Sequence, residues 1–441
     1  MRDKSLPNFL FVCLTVTLGL LAGLAQGQTL DDPKIGLKVD EDKLRANRIR
    51  KISSEHLTLF TDLPEEKEVD ELGKVFDEAV KQWRTYFGLS GFNRFHATGF
   101  LIKDKSRFIR AGVIPASLPE FKNGYTYGFK TFWMYDQPSH YMRRQLMLHE
   151  GTHAFLFSTH SGDIAAWYNE GMAEWFAAHK WSEGKLTTGL TIADRDDAPY
   201  WGRTKVIRDA MEKDSALTFS EIRNLPGSAF LRVDPYGWVW AATTFMNSHP
   251  EYKERFRKLP RSITSKGIDK SFEELFASDM ARIEEQWAAF LHDLDYGVDG
   301  LSARIQYDEA KVERGTLRSL AADKSWQNSG IKVTAGKNYL IRSKGRFVIR
   351  ESLINGKQTA WPCETNGVTI EYYRGQPLGK LMAVVKPDKA GSRIDFEKQI
   401  PVGLSHTLKS PVSGTLFFRV NETPAGLSDN SGSLLISVVE K

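Results

Sequence analysis

The residues most able to do chemistry form the motif His149-Glu150-Gly151-Thr152-His153, which reads H-E-x-x-H. Residues four apart on an α-helix share a face, so both imidazoles can point one nitrogen at a single metal ion. Zinc accepts imidazole nitrogen and, in catalytic sites, keeps one position open for water. Glu150 is displaced around the helix, where it can reach that water as a general base. The motif therefore predicts zinc ligands at His149 and His153 and a catalytic base at Glu150.

A second acidic segment, W-Y-N-E-G-M-A-E at residues 167–174, can supply a third ligand. A polar cluster at 158–163 predicts a turn, after which a second helix can return antiparallel. Glu170 and Glu174 are four residues apart and share a face. We expect Glu170 to bind the metal and Glu174 to accept a hydrogen bond from the free nitrogen of a ligating histidine. Two alternatives stay open: a metal other than zinc, or two ordinary core histidines on an amphipathic helix.

Together these motifs resemble those of the gluzincin metallopeptidases of the peptidase MA clan, in which the Glu of an N-E-G-x-A segment is the third ligand. They are similar also to secreted bacterial proteins of the peptidase MA-like group, which share H-E-x-T-H-A-F and W-x-x-E-G-x-A-E-x-F. The resemblance implies that His149, His153 and Glu170 bind Zn²⁺ and that Glu150 is the base. It implies a zincin-like domain with a small sheet, active-site helices and an α-rich lobe. The sequence has no recognisable G-x-M-E-N segment, so an endopeptidase is favoured over an aminopeptidase.

Members of that wider group often carry a Tyr or His that stabilises the oxyanion, and such donors are worth about 3–4 kcal/mol. The segment D-P-Y-G-W-V-W-A-A at 234–242 resembles their Y-x-x-x-W-A element, which makes Tyr236 the candidate catalytic donor. The alternative is a buried aromatic residue at a helix start. Gly124, Tyr125 and Tyr127 are candidates for a sheet edge that an extended peptide could join as an added strand, or for an ordinary aromatic loop.

Length and composition are those of a globular protein with two domains. The chain has 441 residues, of which 41% are hydrophobic and 26% charged. The net charge is only +5 and no basic run stands out, so we expect no nucleic-acid partner. Outside the amino-terminal segment the chain keeps one cysteine, Cys363, and so no intramolecular disulfide is expected.

The amino terminus is typical of a targeting segment. Arg2 and Lys4 precede an apolar run at 9–24, and small residues follow up to Gly27. We predict a signal peptide over residues 1–27 and an exported protein, periplasmic or extracellular, with an uncleaved membrane anchor as the alternative. No later stretch is long and apolar enough to span a bilayer, so the mature chain is expected not to cross a membrane.

The remaining chain divides into a polar, loosely held leader at 28–50, a gluzincin-like metallopeptidase domain at 51–315 and a β-sandwich at 316–441. Hydrophobic periodicity predicts strands at 52–60, 97–103 and 129–134, and helices at 66–87, 164–178 and 272–294. In the last unit, short alternating strands are predicted at 330–333, 339–343, 381–385, 415–420 and 433–438. The fold class expected is α+β, with the metallopeptidase domain followed by an all-β jelly-roll-like sandwich.

Residues 322–441 resemble the galactose-binding lectin known from Pseudomonas, a calcium-dependent jelly-roll sandwich. The segments W-Q-N-S-G-I-K-V-T-A-G, L-G-K-L-M-A-V-V and R-V-N-E-T-P-A-G-L-S-D-N-S-G carry the resemblance. It implies Ca²⁺ bound by Glu422, Asp429 and Asn430, with a glycan as partner. Glu422 stands where the lectin has Asp, and Asp429 where it has Asn. The alternative is a structural sandwich whose acidic loop is an ordinary turn.

These observations predict an exported zinc-dependent peptidase that hydrolyses peptide or protein substrates through zinc-activated water. The alternative is a non-catalytic carbohydrate- or surface-binding protein on a metallopeptidase scaffold. Glu150, the residue that a scaffold without activity usually loses, is present and favours the enzyme.

Overall fold

A computed structural model of the chain describes residues 34–89, 91, 95–160, 163–262, 267–298, 300 and 303–441. The predicted signal peptide lies outside the described residues, and so does the start of the predicted leader. The described part mixes helices with open sheets, in agreement with the α+β class. Among its helices, none combines the length and the apolar character needed to cross a membrane.

The helices are named here in chain order. They are α1 (Glu41–Ala46), α2 (Lys67–Asp70), α3 (Leu72–Phe87), α4 (Lys105–Arg110), α5 (His140–Thr159), α6 (Ala166–Ala177), α7 (Arg203–Glu212), α8 (Phe219–Arg223), α9 (Asp234–Ser248), α10 (Lys253–Phe256), α11 (Ile268–Phe276) and α12 (Met280–Asp293). Short 3-10 turns lie at Arg195–Asp197, Gly227–Leu231, Leu259–Ser262, Ala277–Asp279 and Gly426–Asp429.

The strands are β1 (Arg50–Ser53), β2 (Leu57–Thr61), β3 (Ala97–Ile102), β4 (Gly124–Tyr127), β5 (Thr131–Tyr135), β6 (His179–Ser182), β7 (Lys185–Thr188), β8 (Val312–Arg314), β9 (Leu317–Ala321), β10 (Gln327–Val333), β11 (Asn338–Lys344), β12 (Arg346–Ile354), β13 (Lys357–Glu364), β14 (Asn366–Tyr373), β15 (Gln376–Pro387), β16 (Ile400–Pro401), β17 (Ser405–Lys409), β18 (Gly414–Val420) and β19 (Ser433–Glu440).

The first sheet has the strand order β1-β2-β3-β5-β4, with β4 at its edge. Strands β2, β3 and β5 run parallel, whereas β1 and β4 are antiparallel to their neighbours. Every residue of β2 and β3 is buried, as expected of parallel strands covered on both faces. Helices α3 and α5 cover one face. The predicted strand at 52–60 is instead parts of two strands, since β1 and β2 pair antiparallel across a turn at 54–56. At this turn Asp77 of α3 accepts hydrogen bonds from Ser54 Oγ and the His56 amide, both at 2.8 Å.

The other face of this sheet is covered by residues 34–50, which differs from the loosely held leader predicted there. Ile35, Leu37, Leu44 and Ile49 are buried in a cluster with aromatic residues of the sheet, namely Phe60, Phe100 and Trp133. Asp40 caps α1 by accepting from the amides of residues 42 and 43. The prediction failed because the segment is mostly polar in composition. Its few apolar residues named here all point into the protein.

An α-rich lobe follows the first sheet. Its core is aromatic, with Trp167 and Trp287 packing near Phe219, and Phe245 of α9 packing against Trp287. The helix predicted at 272–294 is two helices, α11 and α12. The 3-10 turn between them contains Ser and Asp, whose side chains compete with helical hydrogen bonds. Asp279 there pairs with Arg255 at 2.6 Å.

The last unit consists of two sheets and a hairpin. The sheets have the orders β10-β18-β15-β14, with β16 also on β15, and β17-β11-β19-β9-β8; the hairpin is β12–β13. Each strand predicted in this unit lies within one of these elements. In β11, buried and exposed residues alternate as the pleat requires. The sheets enclose a core that includes Leu320, Ile341, Ala383, Phe418 and Ile436.

A buried ion pair and an apolar cluster join the α-rich lobe to the sandwich. Both carboxylate oxygens of Asp293, at the end of α12, accept from Nη1 of Arg419, at 2.8 and 2.7 Å. The two side chains are 0% and 3% exposed. Glu285 of the same helix accepts from the Tyr307 hydroxyl at 2.7 Å and pairs with Lys386. Around them pack Ala289, Ile305, Trp326, Met382, Val384, Ile394, Phe396 and Phe417.

Replacing Asp293 by Asn should lower the free energy of unfolding by about 3–5 kcal/mol, because Arg419 would remain buried with no charge to offset it. Urea unfolding followed by tryptophan fluorescence measures the change. As control, Asp209→Asn removes an exposed partner of Lys205 and should leave the unfolding midpoint where it is. Equal midpoints for native protein and Asp293→Asn would contradict the importance of the pair.

Candidate metal centre

Helix α5 carries the first motif through the interior of the protein. Ser139 lies just before its first residue, and its hydroxyl accepts from the Met142 amide at 3.1 Å and so caps the helix. The helix is enclosed by α3, α6 and the strands β4 and β5. His149, Glu150 and His153 are each no more than 6% exposed. The motif therefore places three ionisable side chains inside the protein, where each of them needs a partner.

Helix α6 brings Glu170 to the two histidines, and the glycine that follows it explains how. A Cβ atom at Gly171 would lie 2.3 Å from Thr243 Oγ1 and 3.1 Å from the carbonyl oxygen of Val239, both on α9. Only a residue without a side chain lets α6 lie this close to α9. The glycine of the N-E-G segment is thus required by the packing that positions Glu170.

The structure places the three predicted ligands within bonding range of one point. The Nε2 atoms of His149 and His153 are 3.1 Å apart, and Oε2 of Glu170 lies 3.4 and 3.3 Å from them. Zinc bound tetrahedrally at about 2.0–2.1 Å requires ligand atoms about 3.3–3.4 Å apart. Oε2 of Glu170 is buried and has no hydrogen-bond partner among the described residues. His149, His153 and Glu170 can therefore hold a metal ion, as predicted.

The outer nitrogens of both histidines face side-chain oxygens. Nδ1 of His149 lies 3.1 Å from Oε1 of Glu174, and Nδ1 of His153 lies 3.2 Å from Oδ1 of Asn169. The contact of His153 is a hydrogen bond, and that of His149 is a close approach of a carboxylate without hydrogen-bond geometry. Partners at the outer nitrogen favour binding of a metal through the other nitrogen. Glu174 was predicted in this position. Asn169 was not predicted, although it lies inside the second motif. Its side chain is uncharged and it belongs to no helical repeat of polar residues, so nothing in the sequence marks it as a partner of His153.

Glu150 lies beside the centre and against the edge strand β4. The hydroxyl of Thr126 donates to its Oε2 at 2.8 Å. A Cβ atom at Gly124 would lie only 2.5 Å from its Oε1, so the strand can approach because this residue is glycine. The sequence predicted Gly124, Tyr125 and Tyr127 at a sheet edge, and the structure has them there. It did not predict Thr126 as the partner of Glu150.

Burial and charge shift the acid–base behaviour of the centre. Burial raises the pKa of Glu150, against the opposing effect of the two imidazoles. Burial disfavours the cation at His149, but the carboxylates of Glu170 and Glu174 raise its pKa to about 10. Burial alone would raise the pKa of Glu174, yet Arg203 and His149 lower it to about 2. A metal ion and a proton compete for the same nitrogen, so carboxylates that favour the proton also favour a bound cation.

Tyr236 also lies at the centre. Its ring centroid is 5.8 Å from that of His149, at the start of α9. Its hydroxyl donates to the carbonyl oxygen of Phe230 at 3.0 Å, and burial raises its pKa. The side chain is therefore next to the candidate ligands, with its hydroxyl turned toward the preceding 3-10 turn.

The residues predicted to bind calcium in the sandwich differ in their exposure. Glu422 and Asn430 are buried, whereas Asp429 is exposed at the end of its 3-10 turn. Oε1 of Glu422 accepts from the Thr423 amide at 2.9 Å. Oε2 of Glu422 and Oδ1 of Asn430 have no hydrogen-bond partner among the described residues. Burial raises the pKa of Glu422 to about 7.

Comparison with known proteins identifies a family model and a solved structure that are each similar to part of this chain. Residues 145–269, which contain both motifs and Tyr236, match a family described as "Protein of unknown function (DUF1570)". Among solved structures, a protein described as "EclA N-terminal domain; PllA-like lectin" is similar at 18% identity, with 29% of this chain and 97% of that chain covered and a TM-score of 0.21. The curated proteins include no significant match.

Replacing Asn169 by Ala should weaken metal binding by about 10–100-fold, because the ring of His153 loses the contact that orients it. Helix stability should not suffer, since Ala is a strong helix former. Competition with a coloured zinc chelator measures the affinity. As control, Asn224→Ala removes an amide outside the centre and should leave the affinity unchanged. Equal affinities for Asn169→Ala and native protein would show that this contact does not orient the ligand.

Proposed function

We propose that the chain is a metal-dependent peptidase of the zincin type, with Glu150 as general base. The observation that carries this proposal is the position of Glu150 beside the convergent group of His149, His153 and Glu170. A site that only stored a metal would not need a further buried carboxylate next to it. Zinc is the metal proposed, since two imidazoles and one carboxylate are a common catalytic zinc ligand set.

A bound zinc ion would polarise the substrate carbonyl and acidify a water molecule. Glu150 then takes the proton of the attacking water and later delivers it to the leaving amine. Its raised pKa suits both steps, because a base that must also act as an acid works best near the pH of the medium. Thr126 holds the carboxylate in place. Tyr236 is the proposed oxyanion donor once its hydroxyl leaves the carbonyl of Phe230.

The edge strand β4 is the proposed binding site for the substrate backbone. Its inner side pairs with β5, and no further strand follows it in the sheet order among the described residues. An extended peptide can add to such an edge through main-chain hydrogen bonds. Gly124 and Thr126 both contact Glu150, so a peptide on this edge passes the base. Because such an edge can bind the middle of a peptide chain, it favours an endopeptidase over an aminopeptidase.

The other predictions from sequence accompany this proposal. A zincin-like arrangement of the first unit is supported by the small mixed sheet, the two motif helices and the α-rich lobe. Export to the periplasm or the extracellular space is proposed from the amino-terminal sequence, in which Arg2 and Lys4 precede the apolar run. Peptides or proteins in those compartments are the substrates proposed.

Replacing Glu150 by Gln should abolish casein hydrolysis and leave about one zinc ion bound per chain, because the amide cannot accept a proton whereas the ligands are intact. Zinc content by atomic emission and release of soluble peptides are the two measurements. As control, Glu254→Gln changes a 70% exposed carboxylate and should keep full activity. Zinc binding without hydrolysis of any peptide by the native protein would contradict the proposed activity.

We propose as a second function that the sandwich binds Ca²⁺ and, through it, a glycan. The observation that favours it is the pair of buried oxygens without partners, Oε2 of Glu422 and Oδ1 of Asn430. Carboxylate and amide oxygens are ligands that Ca²⁺ prefers. Glycan binding by the sandwich is compatible with peptidase activity in the first unit. It is also the function expected if the protein is a non-catalytic surface-binding protein.

Calcium at 100 times its dissociation constant should stabilise the native protein by about 2.7 kcal/mol, because it binds the folded state alone. Thermal unfolding with and without 5 mM Ca²⁺ measures this, and Glu422→Gln should remove the effect. Mg²⁺ at the same concentration is the control. If Ca²⁺ does not raise the unfolding temperature, the proposed calcium site is contradicted and the acidic loop is an ordinary turn.

A further inference from the structure

Arg203 is a half-buried cation that contacts two side chains of the candidate centre. Its Nε and Nη2 atoms donate to Oε2 and Oε1 of Glu174 at 2.8 and 2.9 Å. The side chain is 16% exposed and that of Glu174 2%. Oε1 of Glu174 is also the atom that lies 3.1 Å from Nδ1 of His149. The guanidinium carbon lies 5.5 Å from the ring centroid of Tyr236. One side chain therefore contacts the carboxylate beside a metal ligand and the proposed oxyanion donor.

The position of Arg203 in its own helix is electrostatically unfavourable. It is the first residue of α7, where the helix dipole repels a positive charge, and the capping position before it, Gly202, offers no side chain. Removing a guanidinium from water adds a further cost. Residues that oppose local preferences are expected at functional sites. The segment is held by Trp201, whose ring packs edge-on against Trp240 of α9 at 4.8 Å.

We infer that Arg203 is a positioning residue, which orients His149 through Glu174 and supports the ring of Tyr236. The inference rests on the metal centre proposed above. Two parallel hydrogen bonds prevent the carboxylate of Glu174 from rotating, so the oxygen that faces His149 keeps its place. With Nδ1 of His149 fixed, its Nε2 atom is directed at the metal. Lysine offers a point charge without the planar fork and can restore the charge but not the geometry.

The experiment compares metal binding in native protein, Arg203→Lys and Arg203→Met. Zinc affinity comes from chelator competition, and the visible absorption of the cobalt-loaded protein reports the ligand geometry. We expect Arg203→Met to bind zinc about 10–100-fold more weakly, with altered cobalt bands. Arg203→Lys should lie between Arg203→Met and the native protein. In peptide hydrolysis, kcat should fall and KM should change little.

Arg419→Lys is the control, because it makes the same change in another buried Arg–carboxylate pair, in which Nη1 of Arg419 donates to both oxygens of Asp293 at the lobe–sandwich interface. It should lower stability and leave zinc affinity and cobalt bands as in the native protein. Native zinc affinity and unaltered cobalt bands in folded Arg203→Lys would overturn the inference, and so would the same losses in Arg419→Lys. Failure of the native protein to bind zinc or cobalt would instead contradict the metal centre itself.

Discussion

The structure depends on one constraint, which is that two imidazole nitrogens and a carboxylate oxygen meet inside the protein at 3.1–3.4 Å. Buried polar groups need partners, and lone pairs directed at one another need a proton or a metal ion between them. A proton on His149 can bridge some of these atoms, whereas a metal ion can bind all three side chains at once. The burial of α5 and the close contact of α6 with α9 produce this arrangement. Asn169 and Glu174 form an outer layer around it.

The fold holds this arrangement with rigid elements on every side. Strands β3 and β5 run parallel, and α5 starts just after β5, so the motif lies directly beneath the sheet. The edge strand β4, which is antiparallel to β5, passes next to Glu150. Helix α9 contacts α6 near the ligands, presents Tyr236 at its start and packs against α12 through Phe245. Because α12 ends at the ion pair with Arg419, one run of packed helices connects the candidate metal centre to the sandwich.

The sequence predicted the positions of site side chains correctly where their spacing along a helix encodes them. His149, His153, Glu170 and Glu174 are paired at helical spacing, and this spacing alone brings them onto shared faces. Thr126 and Arg203 could not be found in this way, because each meets its partner across more than 20 residues and belongs to no periodic pattern. The apolar residues of 34–50 were hidden by a charged composition. The break between α11 and α12 was hidden by an apolar period that continues across it.

X-ray absorption at the zinc edge of the purified protein tests the central claim most directly. The account predicts a shell of about four nitrogen and oxygen atoms at about 2.0–2.1 Å, with the outer scattering typical of two imidazoles. It also predicts that this imidazole scattering disappears when His149 and His153 are both replaced by Ala. A shell of oxygen atoms alone, or a spectrum that the double replacement leaves unchanged, would mean that zinc binds elsewhere and that these three side chains do not form a metal centre.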